Sequence, residues 1–221
     1  MAQTTTKNRR KWLLPMALVM LMAVGVAAGY VFIALRAALP PFEGDITVAG
    51  LEAPVTVTLD RFGIPAITAQ SRLDAIRALG YMVARDRLFQ LDLLRRRSAG
   101  RLAEILGSAL LDDDIDRRVI GFHHVAQASA NGLPRAQKDA LGAYAEGINR
   151  FIDQAPSLPF EFRVLGYRPS PWRIEDSILV ALGMVEVLTR RSEDDERMLS
   201  VMEQALPQEV VAFLTPDTDR Y

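Results

Sequence analysis

The sequence contains no cysteine, and only two of its 221 residues are histidine. The first absence excludes disulfides, zinc-thiolate sites and cysteine nucleophiles. His123 and His124 are the available imidazole bases. Because neighbouring residues on a helix point about 100° apart, the two cannot serve one site together there. We therefore interpret both as ordinary helix residues rather than catalytic bases.

The chain also lacks an excess of charge of one sign. Its 26 lysines and arginines nearly balance its 27 aspartates and glutamates, which gives a formal net charge of −1. Nucleic-acid-binding domains present a basic face, so no nucleic-acid partner is predicted. Half of the residues are hydrophobic, which is enough for one core in addition to a membrane segment.

A long uncharged run near the N-terminus predicts a membrane segment. It occupies residues 12–35, between a basic cluster at residues 7–11 and Arg36. As a helix it would be about 36 Å long, which exceeds the ~30 Å hydrocarbon core of a bilayer. The basic cluster places the N-terminus in the cytoplasm and the remaining chain on the periplasmic or extracellular side. Cleaved signals have apolar regions of only about 7–15 residues, so we predict an uncleaved signal-anchor; cleavage within residues 34–38 is the alternative.

These features divide the chain into four parts. We predict a cytoplasmic basic tail at residues 1–11, a transmembrane signal-anchor at 12–36, a linker at 37–53 and an exported domain at 54–221.

The exported part is predicted to be mainly α-helical, with a short β-hairpin at its N-terminal end. Polar and apolar residues alternate at 45–48 and 55–59, which is typical of half-buried strands. Residues 60–63 then predict a turn, and residues 64–68 the returning strand. Apolar residues at helical spacing predict helices at 71–97 and 102–106, from 112, from 134, from 175 to Pro207, and a short one through Phe213.

The stretch from Val55 to Gly107 carries three motifs that occur in the same order in a known family. They are D-R-F-G-I-P-A-I, A-L-G-Y-M-V-A-R-D-R-L-F-Q-L-D-L-L-R-R and G-R-L-A-E-I-L-G. Weaker matches follow at Y-A-E-G-I-N and P-S-P-W. The chain resembles the penicillin acylase (penicillin amidase) family of N-terminal-nucleophile (Ntn) amidohydrolases over nearly all of its exported part. One departure is Ala66, where many relatives carry histidine.

The resemblance implies an enzyme larger than this chain. Family members are made as a zymogen that is cut into a small and a large chain, and the complete fold is a four-layer αββα Ntn-hydrolase. The nucleophile is a serine at the new N-terminus of the large chain, followed by asparagine. It hydrolyses an amide between an acyl group and an amine, without an organic cofactor. No serine here is followed by asparagine, so no catalytic residue is predicted in this chain, and the large chain is its expected partner.

The resemblance also assigns part of the last long helix to the acyl pocket. The family's Arg-Phe-Ser is matched by residues 190–192, which makes Arg190 and Arg191 predicted substrate-binding residues, together with Val187. Arg191 stands where the family has an aromatic side chain, which argues against a phenylacetyl-type pocket. Glu196 lies nearest to the glutamate that shares a calcium ion with the second chain, so Glu196 is the predicted metal ligand.

Two acidic features have alternative interpretations. The run D-D-D-I-D at residues 112–116 lacks the glycine and glutamate that a calcium loop requires. We therefore predict helix capping and pairing with Arg117 and Arg118. Asp86 lies within an apolar helix, where a charge must be paired. It either belongs to a polar network with the arginines at 95–97, which we favour, or lines an active site.

Two functions remain open. The first is the small-chain region, or a precursor fragment, of an exported acylase whose substrate could be a β-lactam antibiotic, an acyl-homoserine lactone or another acyl amide. The alternative is a non-catalytic, membrane-anchored helical interaction module derived from an acylase. The two differ in stability, because a lone small chain would expose apolar helix faces that belong against its partner.

Overall fold

The computed structural model describes residues 10–37 and 43–215, without the side chains of residues 10–14, 27, 34, 37 and 190–194. Residues 1–9 of the predicted tail and 38–42 of the predicted linker lie outside this description. The described elements are α1 (Arg10–Ala37), β1 (Thr56–Leu59), β2 (Pro65–Thr68), α2 (Arg72–Ala99), α3 (Ala103–Leu106), a 3-10 turn (Ser108–Leu110), α4 (Leu111–Ile120), α5 (Phe122–Gly132), α6 (Arg135–Gln154), α7 (Phe160–Val164), α8 (Ile174–Ala205) and α9 (Gln208–Leu214). The prediction of a mainly helical chain with one short hairpin is confirmed.

Helix α1 contains the predicted membrane segment. Within the described residues, Pro15–Ile33 is the one stretch that is long and apolar enough to cross a bilayer. A signal sequence passes the same test, so the uncleaved anchor stays a prediction.

Strands β1 and β2 form an antiparallel hairpin in which Thr56 lies opposite Thr68 and Leu59 opposite Pro65. The carboxylate of Asp60 shapes the turn, because its Oδ1 accepts hydrogen bonds from the backbone N–H groups of Phe62 and Ile64, both at 2.8 Å. These bonds hold the chain in the reversal that the sequence predicted.

The strand predicted at residues 45–48 is wrong, because these residues form no strand. The Thr47 carbonyl instead accepts hydrogen bonds from the side chains of Arg150 at 3.2 Å and Gln154 at 3.1 Å. Both donors lie on α6. The alternating pattern therefore reflects a segment held by side chains rather than a sheet.

The described chain divides into two compact units. The first combines the residues up to Phe89 with Glu146–Pro171, and the second combines Gln90–Ala145 with the residues from Trp172 onward. In the first unit, α6 crosses α2 closely, because a Cβ at Gly147 would overlap the carbonyl oxygen of Arg77. Buried apolar side chains of this unit include Met82, Leu88, Ile148, Phe151 and Phe162.

Helix α2 begins as predicted, with the Ser71 hydroxyl accepting a hydrogen bond from the Asp74 backbone N–H at 3.0 Å. It ends two residues later than predicted and is interrupted at Arg87, whose φ of −142° and ψ of 25° are not helical. The apolar periodicity continues through this position, which is why the sequence did not reveal the interruption.

Asp74 ties the segment before β1 to α2. Its carboxylate is fully buried and accepts hydrogen bonds from the backbone N–H groups of Glu52 and Ala53 at 3.2 Å. It also pairs with Arg77 Nη1 at 3.1 Å. Burial by itself raises the pKa of Asp74, but the hydrogen bonds and the Arg77 charge outweigh it and hold that pKa below the ordinary value.

This lowered pKa predicts acid lability. The charged carboxylate stabilises the fold fully above the unfolded-state pKa of about 4, and the contribution is lost as pH falls through the lower folded-state pKa. We expect Asp74→Asn to be less stable than wild type at pH 7 and to show a flatter loss of stability below pH about 4. Urea unfolding of the chain in detergent, followed by circular dichroism, measures both.

The control is Asp139→Asn, since the Asp139 side chain is half exposed and should leave the profile unchanged. If Asp74→Asn and wild type lost stability in parallel as the pH fell, Asp74 would not be the titrating group.

Candidate functional site

Helix α8 carries all four residues predicted to meet substrate or metal. The Val187 side chain is 54% exposed, and Glu196 is also exposed. The side chains of Arg190 and Arg191 lie outside the described residues, so their contact with substrate stays a prediction.

The surface of α8 around Val187 is apolar. Met184 and Val185 are about as exposed as Val187, and Leu188 is 71% exposed. The inward side of the helix presents Leu179, which is 2% exposed. An exposed apolar surface of this kind is typical of a site of contact with another protein surface or a ligand. We refer to residues 184, 185, 187 and 188 as the apolar face of α8.

Glu196 borders an open depression of about 320 Å³ formed by α8 and the residue that follows α9. Its lining is mostly apolar and consists of Asp195, Glu196, Met198, Leu199, Met202 and Thr215. Among the residues that the structure describes, no group of three histidine or acidic side chains could hold a metal ion. Calcium binds roughly six to eight oxygen atoms. Glu196 therefore fits a calcium site only as one ligand among others from outside the described chain.

Asp92 is the centre of a buried ion-pair network in the second unit. The side chain is 1% exposed; Oδ1 accepts a hydrogen bond from Arg95 Nε and Oδ2 from Arg96 Nε, each at 2.8 Å. Arg95 continues to Asp176 at 3.1 Å and Arg96 to Glu104 at 2.8 Å. A single carboxylate on α2 is thereby connected to both α3 and the first turn of α8.

The first turn of α8 is held by further contacts of the same network. Asp176 accepts a hydrogen bond from the Arg173 backbone N–H at 2.8 Å, which caps the helix. The Arg95 guanidinium lies 5.2 Å from the Trp172 ring centroid, and Trp172 Nε1 donates to Ser177 at 2.9 Å. The start of the helix that carries the predicted pocket residues is therefore held by its own cap, by Trp172 and by Arg95.

The network was predicted around Asp86, but Asp92 occupies its centre. The Asp86 side chain is 44% exposed, with Arg85 Nε 4.0 Å away. The spacing could have indicated this, because Asp92 lies three and four residues before Arg95 and Arg96, the separations at which helical side chains meet. Asp86 lies too many residues before Arg95 and Arg96 for such pairing.

Asp114 acts as a cap, as predicted for the acidic run, but for α3 rather than for its own helix. Its buried carboxylate accepts hydrogen bonds from the backbone N–H groups of Leu102 at 2.9 Å and Ala103 at 2.7 Å. Gly100 makes this approach possible, because a Cβ there would overlap the Asp114 carbonyl oxygen. The φ of Gly100 is +64°, a backbone conformation that favours glycine. Arg118 Nε donates to the Gly100 carbonyl at 2.8 Å instead of pairing with the acidic run.

His123 and His124 lie in the first turn of α5, with ring centroids 6.0 Å apart. Their interpretation as ordinary helix residues stays a prediction.

Removal of the Asp92 charge should destabilise the chain strongly. Asp92→Asn leaves two buried arginines without their shared carboxylate, and breaking a buried pair of this kind costs about 3–5 kcal/mol. Asp86→Asn is the matched control on the same helix, with an expected change within about 0.5 kcal/mol because the side chain is exposed. Urea unfolding followed by circular dichroism gives both values. Equal effects of the two variants would contradict a central role for Asp92.

Comparison with known proteins finds the same family along most of the chain. A family model described as penicillin amidase matches residues 54–219. The penicillin acylase 2 proenzyme of Pseudomonas sp. (strain SE83) is 45% identical over 147 residues, which are 66% of this chain and 19% of that protein. The acyl-homoserine lactone acylase QuiP of Pseudomonas fluorescens (strain Pf0-1) is 33% identical over 179 residues, 80% of this chain and 22% of that protein.

A solved structure of a thermostable penicillin G acylase from Alcaligenes faecalis matches with a TM-score of 0.61 and 27% identity. The match covers 75% of this chain and 93% of the solved chain. The chain thus spans about a fifth of the length of the curated relatives it matches, but nearly all of one chain of a solved acylase.

Proposed function

The chain belongs to the penicillin amidase family, and we propose that it is the small-chain part of an exported acylase that hydrolyses an acyl amide. The observation that carries this proposal is the difference in coverage. The chain matches 93% of a solved acylase chain but only 19% of a curated acylase proenzyme. This difference supports one of two chains from a processed precursor. The complete enzyme would then have the four-layer αββα fold of Ntn-hydrolases.

In this proposal the chain provides scaffold and part of the acyl pocket, while the large chain provides the nucleophile. A serine at the start of the large chain attacks the amide carbonyl while its α-amino group accepts the hydroxyl proton. That proton passes to the leaving amine as the C–N bond breaks. Water then hydrolyses the acyl-enzyme ester, which releases the acid and regenerates the serine. Backbone and side-chain donors stabilise the tetrahedral oxyanion. The apolar face of α8 supports this division of roles, because its exposed side chains require an apolar partner, here the large chain and the acyl group.

The acyl group is proposed to be bound by α8. Val187 and Leu188 provide exposed apolar surface that suits an aliphatic chain, and Arg191 replaces the aromatic residue expected of a phenylacetyl pocket. The relatives are named penicillin acylases and acyl-homoserine lactone acylases. We therefore propose an amide of an aliphatic acid as the substrate class.

Helix α1 is proposed to anchor the domain to the membrane, with the domain on the periplasmic or extracellular side. Its apolar length supports this placement. An anchored chain should remain in the membrane pellet after alkaline carbonate extraction and be digested by protease added outside. Release as a shorter soluble chain would indicate a cleaved signal instead.

The proposed activity is tested with the full-length acylase that contains this chain. We expect decanoyl p-nitroanilide to be hydrolysed by the processed enzyme and not by this chain alone. Phenylmethylsulfonyl fluoride should label a serine of the large chain, as mass spectrometry of the separated chains would detect. Hydrolysis by this chain alone, or labelling of one of its serines, would contradict the proposed division of roles.

The alternative, a stand-alone interaction module, makes the opposite prediction about exposed apolar surface. A lone small chain should bind anilinonaphthalene sulfonate through the apolar face of α8 and release the dye when the large chain is present. A monomeric chain that binds no dye and has no large-chain partner would support the module.

Glu196 is proposed as one ligand of a calcium ion shared with the large chain. We expect Glu196→Gln to weaken calcium binding to the assembled enzyme about tenfold or more, since a charged ligand is lost. Glu203→Gln is the matched control, because Glu203 is exposed further along the same helix and should leave the affinity unchanged. Isothermal titration with calcium chloride measures both. An unchanged affinity in Glu196→Gln would remove Glu196 from the site.

A further inference from the structure

One buried ion pair lies next to the predicted acyl pocket and is not explained by the acylase motifs. Glu186 is on α8, directly before Val187, and its side chain is only 13% exposed, whereas Val185 and Val187 on either side are each 54% exposed. Glu186 is therefore the residue of this turn that points inward. Its partner is Arg117 of α4, whose Nη1 donates to Glu186 Oε2.

Arg117 is held in place from its own helix as well. Its side chain is 3% exposed, and its Nε donates to Asp113 at 3.1 Å, one turn earlier on α4. Burial by itself would lower the pKa of Arg117, but its bonds to Asp113 and Glu186 outweigh this effect and raise that pKa. The guanidinium therefore stays charged and joins α4 to α8 at a fixed point.

A second contact fixes α8 one turn before this ion pair. A Cβ at Gly183 would overlap the Ser98 hydroxyl of α2, so α8 approaches α2 closely there. Gly183 and Glu186 are three residues apart and lie on the same side of the helix. Together they determine the rotation of α8 about its axis, and hence which side chains at positions 187–189 point away from the second unit's interior.

We propose that Arg117 is a positioning residue that, through Glu186, sets the rotation of α8 and thereby the acyl-chain selectivity of the assembled enzyme. This inference rests on the proposed function. It differs from a general stabilising role because a change in the rotation of α8 would alter how its side chains line the acyl pocket while the fold remained intact.

The test uses the full-length acylase with hexanoyl, decanoyl and phenylacetyl p-nitroanilides. For Arg117→Met we expect the ratio of KM values between decanoyl and hexanoyl substrates to change by at least about fivefold, with a smaller change in kcat, since contact with a single methylene in an apolar pocket is worth about tenfold or more. Arg117→Lys keeps the charge and should restore part of the ratio. Active-site titration corrects every value for the fraction of folded enzyme.

Arg135→Met is the matched control. Arg135 also pairs with an aspartate four residues away, Asp139 at 3.8 Å, but its side chain is 96% exposed. We expect wild-type KM ratios for this variant. If Arg117→Met lowered activity equally for all three substrates and left the KM ratios unchanged, Arg117 would be merely structural and the inference would be overturned.

Hydrogen–deuterium exchange distinguishes failure of this inference from failure of the proposed function. We expect Arg117→Met to increase exchange at residues 183–189 of α8, and Arg135→Met to leave it unchanged. An active wild-type enzyme with unchanged exchange and KM ratios in Arg117→Met would overturn the positioning role alone. A processed wild-type enzyme that hydrolyses no acyl amide would overturn the proposed function, and acyl selectivity with it, whatever the exchange data show.

Discussion

A carboxylate that is removed from water must be neutralised by its neighbours, and Asp92 meets this requirement with Arg95 and Arg96. The two arginines then reach Asp176 and Glu104, so that α3 and the beginning of α8 are arranged around one charge. Two further buried carboxylates join segments within a unit by accepting hydrogen bonds from the backbone N–H groups of a neighbouring segment. They are Asp74 in the first unit and Asp114 in the second.

Several charged residues of the second unit are buried, whereas part of its apolar surface is exposed. Glu186 faces Arg117 in the interior, while Leu188, two residues later, is 71% exposed. Leu188 belongs to the apolar face of α8, and an exposed apolar patch beside a buried charged group is more informative than one exposed leucine. The distribution is what a chain requires if a larger partner covers α8, and it agrees with a chain that spans about a fifth of its curated relatives.

Much of the secondary structure could be predicted from local patterns. The Ser71 cap, the Asp60 turn and the apolar periodicity of α6 each depend on residues that lie close together in the sequence. The contacts that position α8 could not be predicted in this way. The spacing of Asp92, Arg95 and Arg96 indicates their pairing only if these residues are taken to be helical. The pairing of Arg117 with Glu186 joins residues that are far apart in sequence. The strand predicted at 45–48 was wrong for the same reason. Thr47 is bound by side chains of α6, which is distant in sequence, rather than by a neighbouring strand. Of the predicted site residues, only Val187 and Glu196 have described side chains, and their roles depend on groups outside this chain.

The central claim is that this chain is one part of a larger Ntn-hydrolase. The most direct measurement is the sequence of the genomic DNA beyond the Tyr221 codon. The account predicts that this frame, or an adjacent one, encodes a large chain that begins with a Ser-Asn pair at a processing site. A stop codon followed by no related coding sequence would contradict it, and the chain would then have to be explained as a protein that binds others without catalysis.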